Sequence, residues 1–544
     1  LVGGSLPPKL KGEASPFSPP PSAGDTPATP PAYIPFPGIL LTDTFQLYEK
    51  EDLVSALMVD NSERRKRQKS LDIRVIIGNP PYSAGQESAN DNNANVAYPS
   101  LDGRIRETYA DRSVATNKNA LYDSYIRAIR WASDRVGKSG IVGFVTNAGF
   151  VEANTADGLR QCLAEEFSSL YIFHLRGNAR TQGELRRKEG GNVFDAGSRA
   201  PIAISFFVRD PDATEMGQIH FYDIGDYLSR EEKLAKIAEL GSIAGIEAGN
   251  AWRKITPDSH GDWLRQRDDS FREFIVLGDK GGDEQKVVFE NYSNGLKTQR
   301  DVWCYNPSRP VVETNMERMV AFYNAEVRRF HTEYGEKDRK EQEELIENFI
   351  NTDTAKISWT ENLKQDLLKN KPLKYERDSL IPSLYRPYSK SWLYYNRRLN
   401  ERVYQMPRIF PDASAQNRVI CVTGNGAKQF TCLITDTLPD IQMHFNGQCF
   451  PLYLYDEPSV GTEQGGLFDE APSGRKRRDA ITEAGLAHFR AAYPGEKIGR
   501  EDIFYYIYGL LHSPDYRERY GDNLSKELPR IPCVKKASDF WAFS

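Results

Sequence analysis

The sequence predicts an α/β protein, with a mainly parallel sheet over residues 38–215 followed by a mixed α/β domain over residues 285–544. Up to about residue 215, apolar runs such as "VIIG", "GIVGFVT" and "LYIFHL" alternate with helical segments, which is typical of a parallel sheet covered on both faces. Beyond that point the alternation gives way to charged helical stretches and a region rich in tyrosine and arginine. A chain of 544 residues is also too long for a single hydrophobic core.

Hydrophobic periodicity predicts the elements of the first domain. Apolar residues at three- and four-residue steps between Leu121 and Val136 predict a helix with one buried face, and "DGLRQCLAEEF" predicts a second helix. The strand "PIAISFFV", residues 201–208, follows the strand "LYIFHL" without a helix between them. We therefore expect an antiparallel strand at the edge of the sheet.

The other segments have simpler patterns. Residues 1–37 are rich in Pro, Gly and Ser and predict a tail or linker, and an amphipathic helix is expected over residues 49–59. Residues 216–284, which include the charged stretch "SREEKLAKIAEL", predict a helical connector. In the last domain we expect helices near 315–348 and 501–524 and an exposed loop over 458–479.

Composition limits the class of protein. Hydrophobic residues make up 39% of the chain, and no apolar run approaches the roughly 20 residues of a membrane span, so we expect a cytoplasmic protein without a membrane partner. Six scattered cysteines, with no CxxC pair or His/Cys cluster, predict reduced thiols and no metal site. The net charge of -5 excludes a uniformly basic surface but allows a local basic groove.

The stretch "GNPPY", residues 78–82, directly follows the apolar run "VII". The residue before a proline is held out of the helical conformation, and Pro80 and Pro81 have no N–H, so the turn is stiff and its carbonyl oxygens keep few local donors. The side-chain oxygen of Asn79 and the carbonyl oxygen of Pro80 supply two acceptors at the carboxyl end of a parallel strand, where open α/β sheets bind ligands. Tyr82 offers a ring on which a base can stack. The alternative is an ordinary turn.

Two fixed acceptors suit an amino group with two N–H bonds. When both N–H groups of an exocyclic amine donate to them, the nitrogen becomes more pyramidal and its lone pair more localised. Such a nitrogen can attack a methyl sulfonium in line, and positioning and electrostatics replace a strong base.

These residues carry a family resemblance. "NPPY" resembles motif IV of amino-methyltransferases that use S-adenosylmethionine, and the order of elements resembles the second half of the class I methyltransferase sheet. The stretch "HLRGNARTQGELRRKEGGNVFDAGSRAPIAISFFV", residues 174–208, is similar to the Type ISP restriction–modification enzymes. "QRDVWCYNPSRP", "YRPYSKSWLYYN" and "YIYGLLHSPDYRERYGDNLSKELPRIP" resemble the specificity domain of that family. The resemblance implies double-stranded DNA as substrate and nuclease and helicase-like domains upstream.

The resemblance also implies roles for single residues. Asn79, Pro80, Pro81 and Tyr82 match the motif that holds and stacks the target adenine. Phe194 matches an aromatic residue that contacts the flipped base, and the alternative is a core phenylalanine at a strand entrance. Asp43, at the end of "GILLTD", matches the motif that faces the adenine of the cofactor, so Asp43 and Asn79 are the expected cofactor contacts. A helix N-cap also explains an aspartate at residue 43.

The sequence departs from methyltransferases of this class upstream of Asn79. It shows neither the glycine-rich loop after a first strand nor the acidic residue that ends a second strand. The glycine pair Gly424 and Gly426 lies between the apolar runs "VICV" and "FTCLI", which favours a hairpin turn over a cofactor loop. We therefore expect the chain by itself to bind S-adenosylmethionine weakly or not at all.

Basic residues are the remaining candidates for DNA contact. Arg386, Lys390, Arg397 and Arg398 lie among tyrosines in residues 385–404 and are expected to contact DNA, although tyrosines are also ordinary core residues. The basic runs 64–67 and 475–478 could contact phosphates, but solvated loop charge is the commoner explanation of such runs.

The sequence thus predicts a site-specific DNA adenine-N6 methyltransferase whose target-recognition region lies within residues 285–544. It has no GxxxxGK[ST] phosphate loop of a nucleotide-driven motor. Two alternatives stay open: a catalytically inert, sequence-specific DNA-binding module, and a protein-glutamine methyltransferase, whose substrate amide also has two N–H bonds.

Overall fold

The computed structural model describes residues 38, 42–45, 59–81, 98–115, 117–195, 198–282, 284–427, 429–456 and 475–544. The expected tail over 1–37, the helix expected over 49–59 except its last residue, Tyr82, and most of the loop expected over 458–479 lie outside these described residues.

A six-stranded sheet is the framework of the first domain. Its strands are β1 (Ile73–Gly78), β2 (Val136–Asn147), β3 (Ser169–Arg176), β4 (Ile202–Arg209), β5 (Gln218–Asp223) and β6 (Arg253–Ile255). Their order across the sheet is β1-β2-β4-β3-β5-β6. β1 pairs in parallel with β2, and β3 pairs in parallel with β5. The predicted α/β fold class is confirmed.

The position predicted for the antiparallel strand was wrong. β4 does not lie at the edge, because it pairs with β2 on one side and with β3 on the other, antiparallel to both. Its apolar residues face both sides, as an inner strand with both faces covered requires. The edges of the described sheet are β1 and β6.

Helices accompany these strands, and one of them lies between β3 and β4, where the sequence predicts none. They are α1 (Val59–Ser70), α2 (Pro99–Ile105), a π-helical turn (Arg106–Ala110), α3 (Ser124–Arg135), α4 (Asp157–Glu166), α5 (Gly183–Glu189), α6 (Arg230–Leu240) and α7 (Ile243–Ala248). Asp123 is the N-cap of α3, and its carboxylate accepts the backbone N–H of Tyr125. The helix buries Ile129 and Ala132 as the periodicity predicts. The predicted helices over 121–136 and 157–167 are therefore confirmed.

Residues 216–284 are more than a helical connector. They contain the expected helix, α6, which begins with a capping box between Ser229 and Glu232. They also contain β5 and β6, which complete the sheet. The sequence of β5, "QIHFYD", buries only Ile219 and Phe221 and is otherwise polar, so its hydrophobic signal is too short to indicate a strand.

The second domain is built on two four-stranded sheets with helices around them. Its strands are β7 (Ile275–Val276), β8 (Ser293–Asn294), β9 (Tyr305–Asn306), β10 (Leu380–Arg386), β11 (Ser389–Tyr394), β12 (Val419–Val422), β13 (Cys432–Thr435), β14 (Leu438–Pro439), β15 (Gln448–Pro451), β16 (Tyr453–Tyr455), β17 (Arg477–Asp479) and β18 (Arg530–Ile531). Its helices are α8 (Asp301–Cys304), α9 (Arg309–Tyr334), α10 (Arg339–Phe349), α11 (Glu361–Leu368), α12 (Met406–Ile409), α13 (Glu483–Ala492), α14 (Arg500–Leu510), α15 (Pro514–Leu524) and α16 (Ala537–Phe543).

The sheets of this domain have the orders β14-β10-β11-β9 and β13-β12-β15-β8. β12 and β13 pair antiparallel, from Val419 opposite Thr435 to Val422 opposite Cys432. Gly426 lies in the connection between them at a φ of +85°, a conformation that favours glycine. The hairpin predicted at Gly424 and Gly426 is confirmed.

The chain has two main hydrophobic cores. One contains buried residues from Phe45 to Trp263, and the other contains buried residues from Phe271 to Phe540. The second core thus begins before residue 285, because β7 pairs with β18 near the end of the chain.

A cluster of buried charges joins the two cores. The carboxylate of Asp262 accepts hydrogen bonds from Arg160 at 2.9 Å and Arg267 at 3.1 Å, and it lies 2.8 Å from the ammonium group of Lys526. Arg160 lies on α4 of the first domain, whereas Lys526 follows α15 of the second. Arg160, Asp262 and Lys526 are buried, so each charge depends on its partners in the cluster.

We expect the substitution Asp262→Asn to lower the free energy of unfolding by about 3–5 kcal/mol, because it leaves buried cations without their carboxylate. Urea unfolding followed by tryptophan fluorescence measures this change. The matched control is Asp436→Asn, which breaks an exposed ion pair with Lys390 and should cost less than about 1 kcal/mol. Equal effects of the two substitutions would contradict a stabilising role of the cluster.

His444, between β14 and β15, makes the stability depend on pH. Burial lowers its pKa from 6.5 to about 4. As pH falls below about 6.5, the unfolded chain binds a proton that the folded chain excludes, so stability declines until pH reaches about 4.

Between pH 7 and pH 5 we expect the wild type to lose about 1 kcal/mol more stability than a His444→Gln variant, after allowance for partial solvent screening. Urea unfolding of both proteins at pH 7, 6 and 5 measures the difference. Parallel pH profiles would show that His444 does not titrate as its burial implies.

Candidate active site and nucleic-acid interface

The carboxyl ends of the parallel strands bring three loops to one edge of the first sheet. Gly78 at the end of β1 lies opposite Phe144 of β2, so the turn Asn79-Pro80-Pro81 leaves the sheet at this edge. Both Asn147, at the end of β2, and Arg176, at the end of β3, lie opposite Ile202. The loop over 177–201 therefore opens at the same edge as the Asn-Pro-Pro turn, as expected for a ligand site in an open α/β sheet.

The Asn-Pro-Pro turn lies in the position that the sequence predicts. Asn79 and Pro81 are exposed and Pro80 is partly buried, so the turn faces solvent rather than the core. A side chain at Gly78 would place its Cβ 3.2 Å from the ring of Phe144, so glycine allows the close packing that precedes the turn. The expected stacking residue, Tyr82, lies outside the described residues.

Phe194 is presented to solvent by a buried asparagine. The side chain of Phe194 is 40% exposed, so the alternative of a core phenylalanine does not describe it. The side-chain oxygen of Asn192 accepts the backbone N–H of Phe194 at 2.9 Å. The amide nitrogen of Asn192 donates to the backbone oxygens of Gly177 at 3.0 Å and Ala200 at 2.9 Å. One buried amide thus ties both ends of the loop that carries the aromatic ring.

Sequence reasoning missed Asn192. Its signal was present, because an asparagine two residues before the residue whose N–H it accepts is typical of an Asx turn. Only the fold shows that its amide nitrogen reaches Gly177 and Ala200.

Asp43 is held by two donors. Its carboxylate accepts the hydroxyl of Tyr98 at 2.7 Å and the backbone N–H of Phe45 at 3.0 Å. Burial and the hydrogen bond to Asp43 raise the pKa of Tyr98. The turn at Phe45 agrees with the alternative of a local cap, and the cofactor contact of Asp43 stays a prediction.

The basic residues expected to contact DNA differ in their surroundings. Three of them form ion pairs within the second domain: Arg386 with Asp440 at 2.8 Å, Lys390 with Asp436 at 2.9 Å and Arg398 with Asp366 at 2.8 Å. Arg397 is exposed and makes no ion pair among the residues that the structure describes. DNA contact by all four stays a prediction, and for the three paired residues it would require an exchange of partners.

Each of the two basic runs contains residues that are buried or engaged in intramolecular contacts. Arg65, on α1, is buried. Arg478, on β17, donates to Glu290 at 2.6 Å and to Asp456 at 2.7 Å. The guanidinium of Arg477 lies over the ring of Tyr453.

Asp43 and Asn79 each offer side-chain oxygen acceptors, and their contact with an adenosyl cofactor stays a prediction. Where the structure is described, no three His, Cys, Asp or Glu side chains come together as a metal site. The described helices include none that is long and apolar enough to cross a membrane.

Two family models match the chain. Residues 287–544 match the Type ISP C-terminal specificity domain, and residues 44–180 match the Eco57I restriction-modification methylase. Among curated proteins, no significant match was found.

Three solved structures are similar over nearly the whole chain. A nuclease-deletion mutant of the Type ISP restriction-modification enzyme LlaGI, in complex with a DNA substrate mimic, is 37% identical with a TM-score of 0.78, covering 95% of this chain and 38% of its own. The ATP-dependent Type ISP enzyme LlaBIII bound to DNA is 36% identical with a TM-score of 0.77, covering 94% of this chain and 31% of its own. The DrdV–DNA complex is 34% identical with a TM-score of 0.78, covering 94% of this chain and 47% of its own.

The chain thus spans less than half the length of each of these structures. A methylase model and a Type ISP specificity model match the chain in this order, and the related structures align over at least 94% of it. The chain therefore belongs to the Type ISP restriction–modification family and contains the methylase and specificity-domain regions of that family.

Proposed function

We propose that this chain is the portion of a restriction–modification enzyme that methylates adenine N6 in double-stranded DNA with S-adenosylmethionine as the methyl donor, that its specificity domain selects the target sequence, and that the chain by itself binds the donor weakly. The observation that carries this proposal is the Asn79-Pro80-Pro81 turn at the carboxyl edge of a sheet whose residues match a restriction–modification methylase. Related enzymes of 34–37% identity have been solved in complex with DNA or a DNA mimic.

In this mechanism the residues of the chain position a flipped adenine. The side-chain oxygen of Asn79 and the carbonyl oxygen of Pro80 accept the two N6–H bonds, which localises the lone pair on N6. Pro81 keeps the turn stiff, and Tyr82 and Phe194 contact the faces of the base. S-adenosylmethionine supplies an electrophilic methyl group on a sulfonium. Asn79 and Pro80 would hold N6 in line with that methyl group, and on transfer the proton lost from N6 would pass to water while the uncharged thioether would be the leaving group.

Asp43 and Asn79 would contact the cofactor, and Arg386, Lys390, Arg397 and Arg398 would contact DNA. The proposed partners are a nuclease and a helicase-like motor upstream, since the similar LlaGI structure is of a nuclease-deletion mutant and LlaBIII is ATP-dependent. The proposed location is the cytoplasm, where chromosomal and invading DNA are both accessible.

A second candidate function is a sequence-specific DNA-binding module without activity. It is favoured by the open edge of the described sheet, where β1 has no outer neighbour and Ile77 is 82% exposed. It is also favoured by the hairpin at Gly424 and Gly426, because the described residues show no other strand followed by a GxG.

We expect Asn79→Ala to reduce methyl transfer about a hundredfold or more, because it removes one of the two acceptors that activate N6. The measurement is transfer of labelled methyl from S-adenosylmethionine to genomic DNA, followed by detection of N6-methyladenine. The control is Asn119→Ala, an exposed asparagine in the short 3₁₀ helix before α3, which should leave the rate unchanged. No transfer by the wild type, together with sequence-selective DNA binding, would favour the inactive module.

We expect Phe194→Ala to reduce methyl transfer about tenfold, because stacking on a base contributes about 1–3 kcal/mol. The same assay at saturating cofactor, with DNA varied, separates an effect on DNA binding from one on the rate. The control is Phe445→Ala, since Phe445 has a similarly exposed ring in the second domain. Equal rates for wild type and Phe194→Ala would exclude a contact between this ring and the base.

A further inference from the structure

Two segments of the specificity domain, residues 296–302 and 399–405, pair through Lys297 and Arg402. The backbone N–H of Lys297 donates to the oxygen of Arg402 at 3.0 Å, and the N–H of Arg402 donates to the oxygen of Lys297 at 2.9 Å. Residues directly opposite each other in an antiparallel pair project to the same face, with Cβ atoms about 5 Å apart. The side chains of Lys297 and Arg402 therefore leave the backbone next to each other on the same face.

Buried neighbours hold the first segment in place. Leu296, Thr298 and Arg300 are buried, whereas Gln299 is exposed and Lys297 partly so. The hydroxyl of Thr298 accepts the backbone N–H of Arg300 at 3.2 Å, and its backbone oxygen accepts the N–H of Glu401 at 3.4 Å. The alternation places Lys297 and Gln299 on the outer side.

The charge of this pair is not compensated within the described part of the chain. Like charges directly opposite each other destabilise a strand pair, yet no ion pair of Lys297 or Arg402 is formed among the described residues. Glu401 precedes Arg402, but successive residues of a strand face opposite sides, and its carboxylate accepts the amide of Asn362 at 3.4 Å. By contrast, Arg386, Lys390 and Arg398 of the same domain each have a carboxylate partner. Lys297 and Arg402 thus have no carboxylate partner among the residues that the structure describes.

Strained backbone flanks the pair on both sides. Gln299 has a φ of +57° and Tyr404 a φ of +46°, in the left-handed region that disfavours residues other than glycine. Both side chains are exposed, and nearby Val302 is 85% exposed. Backbone strain of this kind clusters at active sites, ligand clamps and switch regions.

We propose that Lys297 and Arg402 together bind a phosphodiester of duplex DNA and that Gln299 and Tyr404 contact the adjacent nucleotide. This rests on the proposed function, because it names the surface with which the specificity domain meets DNA. Two cations on one face suit a single phosphate between them, because a bound phosphate offsets the electrostatic repulsion between the two cations.

The test is the salt dependence of DNA binding by the full chain, measured by fluorescence anisotropy with a labelled random-sequence duplex. Each of Lys297→Gln and Arg402→Gln should weaken binding, and the double variant should lower the slope of log K against log salt by about 1, because the two cations neutralise one phosphate. The double variant should melt at the wild-type temperature or above it, since it removes a like-charge pair. The control is the double variant Arg328→Gln/Lys340→Gln, which removes two exposed cations from α9 and α10 and should leave the slope unchanged.

An unchanged salt slope in the Lys297→Gln/Arg402→Gln variant, with wild-type DNA binding, overturns the proposal, as does a lower melting temperature without a change in slope. Inorganic phosphate at constant ionic strength should not displace the duplex. Displacement that disappears in the double variant would assign the pair to free phosphate instead of DNA. Absence of DNA binding by the wild type contradicts the proposed function itself, so the two failures are distinguishable.

Discussion

The position of the methylase domain relative to the specificity domain depends on the buried carboxylate of Asp262. Three cations, from α4, from the linking segment and from the end of α15, converge on it. A buried carboxylate cannot lose these partners without leaving charges unpaired, so the cluster resists any gradual change of angle between the domains. The specificity domain and the sheet edge that carries the Asn-Pro-Pro turn are therefore held in a fixed relation by this cluster.

Short polar side chains serve the same purpose at both surfaces. Asn192 is buried and uses its whole amide to fix the loop that exposes Phe194. In the specificity domain, Thr298 is buried and fixes the segment that exposes Lys297 and Gln299. Buried amides and hydroxyls must satisfy their hydrogen bonds, and they do so here with loop backbone and, for Thr298, also by donating to the carboxylate of Asp301. The exposed residues are thereby held in place before any ligand arrives, which reduces the entropy that binding must overcome.

Much of the fold could be predicted from local patterns. The helix over α3, the strands β1 to β4 and the hairpin at Gly424 and Gly426 follow from periodicity and turn residues. The inner position of β4 could not, because strand order depends on which edges meet in space. β5 was missed for a related reason, since a strand with two buried residues is recognisable only once β3 lies beside it.

The sequence by itself determined the chemistry of the candidate site, because a strand that runs into Asn-Pro-Pro sets two acceptors at its end whatever surrounds it. It also carried the family resemblance, since both the NPPY turn and the specificity-domain stretches are contiguous. Only the tertiary structure decided which basic side chains have a carboxylate partner among the described residues and which do not. Arg386 and Arg398 look as available in the sequence as Lys297 and Arg402, but the carboxylates that neutralise them lie 54 and 32 residues away, and such partners meet only when the chain is folded.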